Sequence, residues 1–203
     1  MRRGRPSKSE ANKAEHSRFQ LLQATEKIIA QGKKVTVRGV CQFAGLSTGT
    51  FYYHFKDKDD LLGFYLTQSL PKTKNYAAEK DLSRAVFLLY LPLFEQYERL
   101  GKGVMREFYS GNNQALSHYL GENDGKFIAG TVMSECQFLI DNMKKDNISL
   151  ENINSFQLSS DICILIKGCV FDWCLSNQEK DLKETAKRIL SQFLTIYNKK
   201  KTC

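Results

Sequence analysis

The sequence predicts an all-α protein, on three observations. Apolar residues recur at the 3.6-residue helical period along most of the chain; only three prolines and thirteen glycines interrupt 203 residues; and no segment alternates convincingly as a half-buried strand does. Hydrophobic residues at 42% and charged residues at 26% fit a folded globular protein rather than a disordered, collagen-like or disulfide-stapled one.

Residues 1–13 read as a basic flexible arm. From residue 14 to 31, Leu21, Ala24 and Ile28, joined by Leu22 and Ile29, form one apolar stripe, and Gly32 ends the helix. A shorter pattern follows at Val37, Val40, Cys41 and Ala44, with Thr36 as N-cap and Gly45 as terminator. Ser47 caps a third short helix running to Phe55, and a fourth opens at Asp57 with Asp59 and Asp60 in its first turn, where the helix dipole favours anions. The polar segment at residues 71–75 opens with Pro71 and separates a first domain, 14–70, from a second, 71–203. In the second, helices are expected at about 82–100 with a kink at Pro92, then at 102–109, 126–144, 154–176 and 181–199. The last carries a wide apolar face of Leu182, Ala186, Ile189, Leu190, Phe193, Leu194 and Tyr197.

Charge is segregated along the chain. Residues 1–56 hold eleven Lys/Arg against three Asp/Glu, which is the whole net charge of +8, whereas the rest of the chain is balanced. A cationic segment on a neutral body is the footprint of a polyanion-binding domain, though a solvated basic tail looks the same. Function classes are narrowed further. Six cysteines include no Cys-x-x-Cys and no His at ligand spacing, so no metal site is expected. Cys163 and Cys174 share a helix face but lie ~16 Å apart along it, too far for a disulfide. Three histidines without a neighbouring nucleophile or carboxylate cluster, and no Gly-rich phosphate loop, argue against an enzyme or bound cofactor. No leader-like or membrane-spanning apolar run occurs, and a cytoplasmic protein is expected.

The two short helices around Gly45 have helix-turn-helix spacing: small Cys41 four residues before the glycine, Leu46 after it and Phe51 six after it. The run Val37-Arg38-Gly39-Val40-Cys41-Gln42-Phe43-Ala44-Gly45-Leu46-Ser47, then Gly49-Thr50-Phe51-Tyr52-Tyr53-His54-Phe55 and Lys58-Asp59-Asp60-Leu61-Leu62, resembles the DNA-binding region of the tetracycline-repressor (TetR) family. The resemblance covers about residues 14–65. Cys41 stands where the family usually has Ala, Phe51 where Leu is common, and the connection from Gly32 to Val37 is shorter than usual.

The resemblance implies about nine helices, a double-stranded operator as partner, a small-molecule effector, and a homodimer through the last two helices. Repression is the usual mode; an architectural or protein-responsive DNA-binding protein without an effector is the alternative. Ser47, Thr48 and Thr50 start the recognition helix, where free N–H groups and hydroxyls suit phosphate and base edges, and Gly49 allows close approach. By the family pattern Tyr52, His54 and Lys58 meet phosphate, and Tyr53 turns toward base or sugar; His54 could instead be an internal hydrogen-bonding side chain. Thr36 can cap its helix and hydrogen-bond phosphate, while Arg38 either grips a guanine or contacts phosphate. In the arm, Arg3 and Arg5 flank Gly4 as in a minor-groove AT-hook, or make nonspecific phosphate contacts. On the effector side the aromatic and methionine stripe of Phe87, Tyr90, Phe94, Met105, Phe108, Tyr109, Phe127, Met133 and Phe138 is either core or the lining of a pocket for a hydrophobic or aromatic ligand. Asp172, between Phe171 and Trp173, either meets a cationic group there or is a solvated helix-edge residue.

Overall fold

The computed structural model describes residues 8–68, 76–109, 122–123, 125–145, 150–177 and 179–198. The arm arginines Arg3 and Arg5 and the polar segment 71–75 lie outside these residues. The chain divides into two compact units, Met1–Tyr65 and Leu66–Cys203. Among the described residues there are eight helices and one two-stranded ladder.

The first unit holds α1 (Lys8–Ala30), α2 (Val37–Ala44), α3 (Thr48–His54) and most of α4 (Lys58–Gln68). Helix α1 starts at Lys8 rather than residue 14. The apolar stripe marks only the stretch that is buried, and no Gly or Pro between residues 8 and 14 stops the helix from extending. Its buried face is Leu21, Ala24, Thr25 and Ile28, and the Thr25 hydroxyl donates to the Leu21 carbonyl at 2.8 Å instead of reaching for another partner. That face packs on α2 and α3. Gly32 leaves α1 at φ +64.

The second unit holds α5 (Leu82–Phe108), β1 (Glu122–Asn123), β2 (Lys126–Phe127), α6 (Val132–Lys144), α7 (Ser155–Leu175) and α8 (Leu182–Asn198). Helix α5 packs on each of α6, α7 and α8, and α7 also packs on both α6 and α8. Two sequence expectations are corrected here. The backbone of α5 stays helical through Pro92 and departs only at Gly101, with φ 81 and ψ 157. Proline forfeits one helical hydrogen bond but its fixed φ is helix-like, whereas a φ of that sign suits glycine alone. The helix expected from residue 126 begins at Val132 instead. Gly130, at φ 80, breaks the approach, and the Thr131 hydroxyl then caps α6 by accepting from the Ser134 amide at 3.3 Å. Ahead of it β1 and β2 pair antiparallel, Glu122 with Phe127 and Asn123 with Lys126, so a strand pair occupies residues read as helix or loop.

The far end of α7 is tied back to α5. Beyond the Gly101 break, Lys102 Nζ donates to the Ser176 carbonyl at 2.8 Å and lies 5.7 Å from the centre of the Trp173 ring. A cation at a helix C-terminus satisfies both an unpaired carbonyl and the negative end of the dipole.

Candidate nucleic-acid interface and ligand core

The turn between α2 and α3 is closed by backbone chemistry. Gly45 sits at φ 66, its N–H meets the Gln42 carbonyl at 3.4 Å, and the Leu46 N–H meets the Cys41 carbonyl at 3.0 Å. This is a Schellman closure, and its left-handed residue is the reason for glycine at that position. At its entrance Thr36 caps α2 by accepting from the Gly39 amide at 3.0 Å. At its exit Ser47 accepts from the Thr50 amide at 3.1 Å and shares a 2.9 Å hydroxyl contact with Thr50. Such a cap stabilises its helix by about 1 kcal/mol. The Cys41 thiol, where the resembling family has Ala, adds a 3.7 Å contact to the Ser47 carbonyl, and burial pushes its pKa up, so it stays a neutral thiol.

Helix α3 is amphipathic over seven residues. Phe51 is fully buried and packs edge-on against Tyr52 and obliquely against Phe55, while Tyr52 and Tyr53 are 60% and 74% exposed. Ser47, Thr48 and Gly49 are exposed beside them, Thr50 is half-buried, and Arg38 and Thr36 are exposed on and before α2. The structure therefore brings the exposed groups of both helices together on the first unit, as the helix-turn-helix spacing requires.

His54 is different, because it faces inward. Its Nε2 lies 2.7 Å from Ser17 Oγ on α1, and the Ser17 hydroxyl is 3.0 Å from the Ala14 carbonyl. A serine hydroxyl has one proton; if it is donated to Ala14, the ring must carry its own on Nε2 and donate to Ser17. Burial, then the nearby Arg18 guanidinium, lowers the His54 pKa and favours this neutral form. Arg18 itself lies 5.1 Å from the centre of the Phe64 ring on α4. Sequence reading could not find Ser17, which carries no motif and stands 37 residues away.

Helix α4 opens on a double cap. Asp57 Oδ1 accepts from the Asp59 and Asp60 amides at 2.9 and 2.8 Å, and Asp60 Oδ2 accepts from the Lys56 amide at 2.9 Å. Half-buried Lys58 pairs with Asp59 at 2.9 Å, so a phosphate at Lys58 would compete with that carboxylate.

In the second unit most of the aromatic and methionine stripe lies inside. Tyr90, Phe94, Met105, Phe108 and Met133 are buried, and Phe87, Tyr109 and Phe127 are half-buried. Tyr90 stacks on Phe94 at 6.3 Å, and Phe127 stacks on Phe156 at 4.6 Å. One member is corrected, and Asp172 takes the helix-edge reading of its two. Phe138 is 56% exposed, since α6 turns Met133, Cys136, Leu139 and Ile140 inward and leaves it on the other side. Asp172 is exposed and pairs with Lys180 at 2.9 Å, outside the interior that the neighbouring Trp173 enters. Sequence reading missed Tyr97, whose hydroxyl lies 3.3 Å from that of Tyr109, although its spacing from Tyr90 and Phe94 placed it on the same helix face. Among the described residues no three His, Cys, Asp or Glu side chains lie together as metal ligands, and no helix is long and apolar enough to cross a membrane.

A capped two-helix turn supported by a third helix, with hydroxyls and aromatics exposed on its second helix, defines a helix-turn-helix DNA-binding unit. Residues 21–63 match the family model for bacterial regulatory proteins of the tetR family. The whole fold is shared with solved structures at low sequence identity. A TetR-family regulator from Syntrophomonas wolfei is 17% identical at a TM-score of 0.63, covering 93% of this chain and 99% of that one. The transcriptional regulator FadR from Bacillus subtilis, in complex with stearoyl-CoA, is 17% identical at 0.58, covering 88% and 97%. A TetR-family regulator from Rhodococcus sp. is 17% identical at 0.54, covering 90% and 97%. No curated protein matches the chain.

The Ser17–His54 bond gives a pH prediction. The folded pKa of His54 lies below the ordinary value near 6.5, so its stabilising contribution is present above that value and is lost as pH falls through the folded pKa. The thermal midpoint should fall on acidification below neutrality, and His54→Gln, which keeps a donor near Ser17, should flatten that dependence. An unchanged pH profile in the variant would contradict the assignment.

Proposed function

We propose that the protein acts as a dimeric repressor in the bacterial cytoplasm, binding a palindromic operator through α3 and releasing it when the second unit binds a small, largely apolar molecule. The observation that carries the DNA side is the exposure of Tyr52 and Tyr53 on the capped helix whose opposite face, Phe51, is buried. Each ring packs by one edge, Tyr52 on Phe51 and Tyr53 on His54, and leaves most of its surface in water beside the hydroxyl and backbone donors of residues 47–50, where a partner can reach it. With them we place Thr36, Arg38, Ser47, Thr48, Gly49, Thr50 and Lys58 at the DNA, Lys58 and Tyr52 on phosphate and Arg38 on a base edge. His54 contributes through Ser17 by fixing α3 on α1. Arg3 and Arg5 would add contacts from the arm.

The dimer reading rests on α7. Ile164, Phe171 and Leu175 are 61%, 53% and 57% exposed, and their spacing puts them along one side of the helix. An apolar stripe of that kind is stabilised when a second copy covers it, and the same helices on both copies then form a two-fold bundle. The effector reading rests on the aromatic interior of the second unit, and the stearoyl-CoA held by FadR shows a protein of this fold with such a ligand. A dimer whose recognition helices must sit ~34–36 Å apart to enter successive major grooves loses affinity when a ligand favours another separation.

Fluorescence anisotropy on a duplex selected by the protein and on a scrambled one, across a salt series, tests the DNA side. Lys58→Ala should weaken both and reduce the salt slope by about one unit. Arg38→Ala should cost about 1–3 kcal/mol on the selected duplex alone. Equal losses on both duplexes for Arg38→Ala would remove its base-reading role, and no change for Lys58→Ala would remove α4 from the backbone contact.

For the dimer, sedimentation velocity should show a two-copy species at micromolar concentration and a monomer for Phe171→Glu. A monomeric parent would overturn this part of the reading.

A further inference from the structure

The row of buried rings on α3 does not stop at the end of that helix. Phe51 packs at 5.8 Å on Phe55, the residue that caps α3 and is itself 3% exposed, and Phe55 stands edge-on at 5.6 Å to Phe64 of α4. On Phe64 the row ends in a charge. The Arg18 guanidinium of α1 lies 5.1 Å from the centre of that ring. Three helices of the first unit thus meet along Phe51, Phe55, Phe64 and Arg18, and the inner end of the row is the core anchor of α3.

Arg18 follows Ser17, which holds His54. Successive residues leave a helix about 100° apart, so α1 approaches the last turn of α3 with two side chains in two directions. Ser17 meets His54 directly, and Arg18 reaches the same turn through Phe64 and Phe55. The guanidinium is also near enough to His54 to be the charged group that, after burial, depresses the imidazole pKa.

An arginine in the cationic first unit invites another role, contact with a DNA phosphate. The structure weighs against it on two counts. Arg18 is half-buried, unlike the exposed Arg38, and its guanidinium is already seated at a ring. No carboxylate pairs with it among the described residues, so the ring is what fixes it. A flat, weakly hydrated guanidinium suits an aromatic ring better than a compact ammonium does.

We propose that Arg18 is a positioning residue for the recognition helix: seated on Phe64, it holds the Phe64–Phe55 pair against α1 and sets the angle of the last turn of α3, so that it governs sequence-selective binding without touching DNA. This rests on reading α3 as the helix that reads the duplex. A phosphate contact acts on every sequence and through salt, whereas a misplaced α3 keeps its charges and loses the contacts that depend on its placement over particular bases.

The test is fluorescence anisotropy of the full-length chain on the selected and scrambled duplexes across a salt series, well below the thermal midpoint of each variant. Arg18→Ala should weaken binding to the selected duplex about fivefold, the weight of one cation–π contact, while leaving the scrambled duplex and the salt slope unchanged. Phe64→Leu removes the ring and no charge, and should have the same effect; Phe64→Met takes its place should the leucine variant not fold. The double variant should be no weaker than either single one, because both break one contact. Phe64→Tyr, which restores the ring, should recover the affinity. The proposal is overturned by a salt slope reduced by about one unit in Arg18→Ala, which marks a phosphate contact. It is equally overturned by losses that add in the double variant, which mark separate roles, or by an Arg18→Ala chain that discriminates the two duplexes as well as the parent does. A parent that binds both duplexes alike refutes the reading of α3 and the proposal with it, whereas a discriminating parent with an unaffected Arg18→Ala variant refutes the proposal alone.

Discussion

A seven-residue helix cannot hold itself in water, and the DNA-binding unit is organised around that constraint. Nucleation costs more than so few hydrogen bonds return, so isolated helices shorter than about 12–15 residues are marginal. Helix α3 is therefore fixed from outside at every point. Phe51 anchors it in the core and Ser47 caps its first turn; Gly45 sets its direction from α2, and the Ser17–His54 bond ties its last turn to α1. The Cys41 thiol reaches the carbonyl of the same Ser47. Because the inward face is so fully committed, the outward face is free to carry groups chosen for a partner, and Tyr52 and Tyr53 occupy it.

The two units divide the physical work along the same lines. The net positive charge lies in the first 56 residues, where it can draw in a polyanion over distances set by salt, while side chains on α2 and α3 act only at contact. The second unit, with 18 Lys/Arg against 16 Asp/Glu over residues 66–203, is nearly neutral and spends its sequence on burial: aromatic rings on α5, thiols and small polar groups on α6 and α7. Its two unusual features are an apolar stripe left outside on α7 and the Tyr90 hydroxyl left unused inside. Neither stabilises a lone ligand-free copy, and both become favourable once another surface or molecule covers them.

How much of this was legible depended on how local the cause was. The helix-turn-helix could be read directly, because Thr36, Gly45, Ser47 and Phe51 act through bonds or packing within a few residues and each position demands its residue type. Helix limits in the second unit were legible in part. The break at Gly101 falls where the two expected helices, 82–100 and 102–109, were parted, but the expected kink at Pro92 is missing, and Gly130 delays α6 past a strand pair too short to show alternation. Long-range pairing was not legible at all. Nothing near Ser17 marks it as the partner of His54, and nothing near Ser159 marks its hydroxyl as the partner of the Cys136 thiol. The stripe of candidate pocket residues failed at Phe138, where helical phase was ignored, while of the two readings of Asp172 the solvated helix-edge one holds, since it pairs with Lys180 in solvent.

The central claim is that a rigidly held α3 reads sequence on behalf of a two-fold dimer. In vitro selection from a random duplex library with the full-length protein tests it most directly. The account predicts enrichment of an inverted repeat whose half-sites are about one helical turn apart. Enrichment of no sequence at all, with binding that tracks only duplex length and salt, would contradict it.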